Sequence, residues 1–153
     1  MNRSVDFKHI SIYQTPEESP GYLLWWISTQ WRSSIENVLK PLNLTHPQFV
    51  VLASLGWMTR NGAKVSQVDV GRTAGLDPNT TSQILRGLET KKFIKRTRST
   101  DERTKNPMVT ALGSEILAQA LPAVEKADEQ FFSILSSKQM QDLLMLFQKL
   151  VAT

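Results

Sequence analysis

Asn79, Gln83, Arg86 and Thr90 recur at intervals of four, three and four residues in the stretch DPNTTSQILRGLET, Asp77 to Thr90. On a helix advancing about 100° per residue they fall within an arc of roughly 60°. Thr80 and Ser82 flank that arc. Two amides, a guanidinium and a hydroxyl form a hydrogen-bonding strip rather than a catalytic group. They are the groups that tell base edges apart: Arg toward guanine, Asn or Gln toward adenine, Ser or Thr toward several partners. Thr81, Ile84, Leu85 and Leu88 fall on the opposite side and make an apolar face. The plain alternative is a solvated helix face, but such a face ordinarily favours Glu and Lys. The run Asn79 to Gln83 consists of residues better suited to caps than to helix interiors. Short polar side chains there suit close approach, and the N–H groups of a helix start bind phosphate.

A second candidate is the polar segment STDERTKN, Ser99 to Asn106, which carries Arg103 and Lys105 beside Asp101 and Glu102, with Arg98 just before it. An arginine on a loop tip fits a narrow, strongly negative minor groove. A neighbouring carboxylate such as Asp101 can hold the guanidinium through a forked pair. In isolation the same charges simply keep a sheet edge soluble. Trp25, Trp26 and Trp31, with His46 at their edge, offer an aromatic ligand pocket; aromatics at this spacing more often form core or subunit interface. His9 and His46 are the only histidines and there is no cysteine. No Ser-His-Asp grouping, glycine-rich phosphate loop or thiol is present, so neither a catalytic site nor a metal or cofactor site is expected.

These groups need elements to hold them. Apolar residues at helical spacing predict a first helix over Tyr22 to Lys40, closed by Pro41. Thr45, with Pro47 in the first turn and Gln48 three residues after the cap, predicts a second helix to about Met58. Ser66 and Asp69 start a short helix ending at Gly75, and Asp77-Pro78 starts another running to about Lys91. Two helices across a tight Gly-containing turn form a helix-turn-helix. FIKRTR and NPMVT read as two short strands joined by the charged loop. A long helix follows from Thr110 to about Leu135, with a bend expected at Pro122, and Ser136 with Gln139 starts a last helix through Leu150. Residues 1–21 read as an N-terminal arm. The fold class is therefore mainly α, with a two-stranded wing.

The chain of 153 residues, 41% hydrophobic and 21% charged, fits one globular domain. Its apolar runs are far too short to span a membrane, and its start lacks a secretory pattern. A cytoplasmic protein without membrane association is the expectation. Between Arg60 and Asn106 there are 11 basic and 5 acidic residues, a local charge of +6, whereas the remainder carries −2. A concentrated positive surface on a near-neutral body suits a polyanion. Its coincidence with the helix-turn-helix and hairpin favours DNA over a merely solvated surface. A winged-helix module contacting protein through its charged face is the other reading.

In this order of elements the chain resembles the MarR family of winged helix-turn-helix transcription regulators. The resemblance runs from residue 22 to 151, and its most specific part is the D-x-R wing (Asp101, Arg103) followed by V-T-x-x-G (Val109 to Gly113). It implies a homodimer, with residues 42–110 as the winged helix-turn-helix and residues 22–41 and 111–153 as a helical dimerisation part. It implies that the 78–91 helix enters the major groove of double-stranded DNA, with Asn79, Thr80, Ser82, Gln83 and Arg86 as contacts. Arg103 and Lys105 would then act from the wing, with Asp101 orienting Arg103. A repressor that leaves a pseudo-palindromic operator when a small ligand binds between the dimerisation and DNA-binding parts is implied; the aromatic residues Trp26, Trp31 and His46 themselves suggest a small aromatic or phenolic effector. The family usually has glycine where Lys92 stands. A left-handed lysine there costs about 1 kcal/mol relative to glycine. The absence of cysteine excludes the thiol-based, peroxide-sensing branch.

Overall fold

The computed structural model of the protein describes residues 5–97 and 106–152. Every α-helix begins where a small polar side chain takes up a free backbone N–H. Ser19 caps α1 (Pro20–Leu39), Thr45 caps α2 (His46–Thr59) and Ser66 caps α3 (Gln67–Ala74). Asp77 caps α4 (Pro78–Thr90), Thr110 caps α5 (Ala111–Phe131) and Ser136 caps α6 (Ser137–Val151). Full capping boxes form at Thr45/Gln48, Ser66/Asp69 and Ser136/Gln139, each satisfying two otherwise free donors. Short 3-10 turns at Phe7–His9 and Pro16–Glu18 lie in the segment before α1, and a third covers Lys40–Leu42.

Three boundaries differ from the sequence expectation. α1 starts at Pro20 rather than Tyr22, because proline at the first helical position has no amide to lose. α5 continues as one helix through Pro122 but stops at Phe131, short of Leu135. There the chain closes into a turn in which Leu135 N–H donates to the Phe132 carbonyl. The strands are only three residues each. β1 (Ile94–Arg96) and β2 (Pro107–Val109) pair antiparallel, with Ile94 opposite Val109 and Arg96 opposite Pro107.

The core is one cluster built around α2. Leu52 and Leu55 of α2 meet Ile35 and Leu39 of α1, Leu85 and Leu88 of α4, and Val124 of α5. Each fully buried Leu or Ile side chain contributes roughly 1.5–3 kcal/mol by leaving water. α5 packs along α1, where Trp31 Nε1 donates to Asp128 Oδ1 at 2.7 Å. Gly113 in the first turn of α5 is required by close approach: a Cβ there would lie 2.0 Å from the Phe93 carbonyl oxygen. The Thr110 hydroxyl accepts from Gly113 N–H at 3.0 Å and lies 2.7 Å from the Lys92 carbonyl oxygen. The V-T-x-x-G segment thus fastens α5 to the turn between α4 and β1. α6 buries none of its residues.

Candidate nucleic-acid interface

α3 and α4 are joined through Gly75, which is left-handed at φ 68. Leu76 N–H donates back to the Gly71 carbonyl, closing the α3 end. The two helices cross closely because Gly71 has no side chain; a Cβ there would come within 2.5 Å of the Thr81 hydroxyl. Thr81, Leu85 and Leu88 are completely buried. The Thr81 hydroxyl is satisfied by donating to the Asp77 carbonyl at 2.8 Å. α4 is therefore held by one face, and its other face is open to solvent.

That free face carries the expected strip. Asn79, Gln83, Arg86 and Thr90 are exposed, while Thr80 and Ser82 are partly covered at its margins. Asp77 caps the helix through both carboxylate oxygens: Thr80 N–H donates to Oδ1 at 3.0 Å and the Thr80 hydroxyl donates to Oδ2 at 2.5 Å. The Thr80 hydroxyl, followed by its backbone N–H, holds the Asp77 carboxyl below its ordinary pKa. At the far end of α4, Lys92 is left-handed at φ 62. Lys92 N–H donates to the Glu89 carbonyl and Phe93 N–H to that of Leu88, the paired bonds of a Schellman turn built on lysine instead of glycine.

Two cations counted with the positive surface serve inside the fold. Lys91 Nζ donates to the Asn43 carbonyl at 2.7 Å and to Gln48 Oε1 at 2.8 Å, tying the end of α4 to the start of α2. Arg96 pairs with Glu89 at 2.7 Å and also donates to Gln67 Oε1. Sequence reasoning missed the Arg96–Glu89–Gln67 and Lys91–Gln48 groups. The i to i+7 spacing of Glu89 and Arg96 across a helix-to-strand turn was the one available signal. Arg86, Lys92 and Lys95 stay exposed. Asp101, Arg103 and Lys105, together with Arg98, lie outside the described residues.

The aromatic candidates separate. Trp31 and His46 meet edge to face, ring centroids 4.9 Å apart. Burial lowers the His46 pKa from its ordinary value, and the nearby Arg32 charge adds to this. Trp26 lies instead on the exposed half of α1, its Nε1 donating to the Tyr22 hydroxyl at 2.9 Å. A cleft of about 670 Å³ opens elsewhere, between the end of α2, the wing base and α5, and none of these three residues lines it. Its walls include Thr59, Met108, Leu117 and Leu121, with Arg60 and Lys64 on one side. The Arg60 guanidinium stacks over the exposed Trp57 ring, 3.7 Å from its centroid. Among the described residues no group of three or more His, Asp or Glu side chains is placed to hold a metal ion, and no helix is long and apolar enough to cross a membrane.

Residues 33–118 match the model of the SarA/Rot transcriptional regulator family. The chain is 35% identical over 130 residues to the HTH-type transcriptional regulator YdcH of Bacillus subtilis (strain 168), covering 84% of this chain and 88% of that protein. Its fold is similar to that of BpsR from Bordetella bronchiseptica, a structure concerned with regulation of DNA binding by 6-hydroxynicotinic acid. There the TM-score is 0.79 at 22% identity, over 92% of this chain and 99% of that one. It is also similar to the MarR family protein Rv2887 of Mycobacterium tuberculosis solved in complex with DNA, with TM-score 0.65 and 26% identity over 86% of this chain and 97% of that one. With the SarA/Rot model matched over more than half of its length and these relatives aligned across the winged-helix region, the chain belongs to the MarR family of winged helix-turn-helix transcription regulators.

Proposed function

We propose that the protein is a homodimeric repressor that reads a pseudo-palindromic operator and leaves it when a small aromatic acid or phenol binds. The observation that carries this reading is α4, whose exposed face is a strip of Asn79, Gln83 and Arg86 while Thr81, Leu85 and Leu88 on its opposite face are buried. In this reading α4 lies in the major groove, with Thr80 and Ser82 at the margin of the contact. Arg103 and Lys105, with Asp101 orienting Arg103, act from the wing in the adjacent minor groove.

Exposed apolar surface supports the dimer. Leu144, Met145, Leu146, Phe147, Leu150 and Val151 of α6 are 40–87% exposed, and Leu24, Trp25 and Trp26 of α1 are 50–67% exposed. Apolar patches of this kind on a soluble chain mark an interface. α1, α5 and α6 accordingly form the dimerisation part, and residues 42–110 the DNA-binding part. The Rv2887–DNA complex and the 6-hydroxynicotinic acid response of BpsR support operator binding and effector release. The effector is assigned to the cleft at the wing base, whose apolar walls and flanking Arg60 and Lys64 suit a small anionic ring. The protein acts in the cytoplasm, where its operator is.

Selection of bound duplexes from a random pool tests the reading. A two-fold related sequence with half-sites about one helical turn apart is expected. Recovery of unrelated sequences would contradict it and favour the protein-contacting winged-helix module.

A further inference from the structure

We propose that Arg96 is a positioning residue for DNA reading: its guanidinium joins the wing base to α3 and α4, so that the recognition strip and the wing engage one duplex together. This rests on the DNA-reading function proposed above. Arg96 is the last residue of β1. Its Nε and Nη2 donate to Glu89 Oε2 at 3.0 and 2.7 Å, and its Nη1 donates to Gln67 Oε1 at 3.3 Å. Glu89 lies in the last turn of α4, and Gln67 is the first residue of α3. One planar group thus ties β1 to both α3 and α4.

The Arg96 side chain is only 11% exposed and Gln67 only 5%. A cation so covered, with its nitrogens already directed inward, is a poor phosphate ligand. Nor is stability its best explanation, because the Glu89 carboxylate is 39% exposed and an ion pair open to water on one side contributes little. What a guanidinium adds is direction: its fork fixes orientation as well as distance, and a lysine ammonium does not. The chain leaves β1 at Arg96 and enters the loop that carries Arg103 and Lys105. How Arg96 seats on Glu89 and Gln67 therefore sets how β1 lies against α3 and α4.

The test uses the full-length protein and a duplex selected by it from a random pool. Affinity is measured across salt concentrations for the wild type, Arg96→Lys and Glu89→Gln, beside thermal midpoints. Both variants are expected to bind about 3- to 30-fold more weakly. Both should also show a log–log salt slope shallower by roughly 1 or more, since a wing base that no longer sits squarely on α3 and α4 leaves fewer phosphate contacts. Weaker binding with an unchanged slope would mean only less active protein, a structural role, and would overturn the proposal. So would unchanged affinity. A steeper slope in Glu89→Gln would overturn it differently, by revealing Arg96 as a phosphate ligand that Glu89 restrains. If the wild type itself fails to discriminate among duplexes, the regulator reading falls, and this proposal with it.

Discussion

The Thr80 hydroxyl donates its hydrogen to Asp77 Oδ2 across 2.5 Å, so what it turns outward is acceptor capacity alone. An acceptor beside an ionised carboxylate favours a base that presents a donor in the major groove, adenine N6 or cytosine N4. Thr80→Val keeps the shape and loses the hydroxyl. It is expected to erase a preference for adenine or cytosine at one position of each half-site, and Thr80→Ser to keep it. Selected sequences that look the same for all three proteins would show that Thr80 does not read a base.

Arg86→Ala removes the longest donor of the strip without touching the buried face of α4. Binding to the selected operator should weaken by about 1–3 kcal/mol, and discrimination should relax at one base position per half-site. The thermal midpoint should stay near that of the wild type. Wild-type affinity in this variant would remove Arg86 from the set of contacts.

Lys92 holds a left-handed conformation, φ 62, at the turn that ends α4. Glycine adopts that conformation without the side-chain penalty, so Lys92→Gly is expected to stabilise the fold by about 1 kcal/mol. Chemical denaturation of wild type and variant reads this directly. Equal or lower stability in the variant would mean that the Schellman turn bears no strain.

His46 contacts Trp31 at the junction of α1 and α2, and burial, followed by Arg32, lowers its pKa. A group depressed in the folded state contributes stability that is complete above its unfolded value, about 6.5, and is lost as the pH falls through the folded value. Denaturation between about pH 7.5 and 5.5 should therefore show the wild type losing stability toward acid. His46→Gln should flatten that part of the profile. Parallel profiles would place the acid sensitivity elsewhere.

The parts that could be read from sequence were those set by local rules. A cap and its partner lie three residues apart, so Thr45/Gln48, Ser66/Asp69 and Ser136/Gln139 announce their helices directly. The strip on α4 follows from helical periodicity alone. The left-handed Lys92 was foreseeable only by resemblance to a family that has glycine there. The end of α5 was not legible, because Phe131, Phe132 and Leu135 continue an apolar pattern that the backbone does not follow. Arg96 and Gln67 are 29 positions apart, and in a count of charges Arg96 looked like free surface. The cleft is assembled from segments around 56–64, 97 and 106–121, so no local pattern announced it.

The salt dependence of binding tests the central claim most directly. Affinity for the selected duplex and for a scrambled one is measured from low to moderate ionic strength. The account predicts a steep fall for both, near −0.9 log unit per phosphate contact, with the selected duplex bound at least about 1,000-fold more tightly at physiological salt. A flat salt response, or equal affinity for the two duplexes, would contradict it.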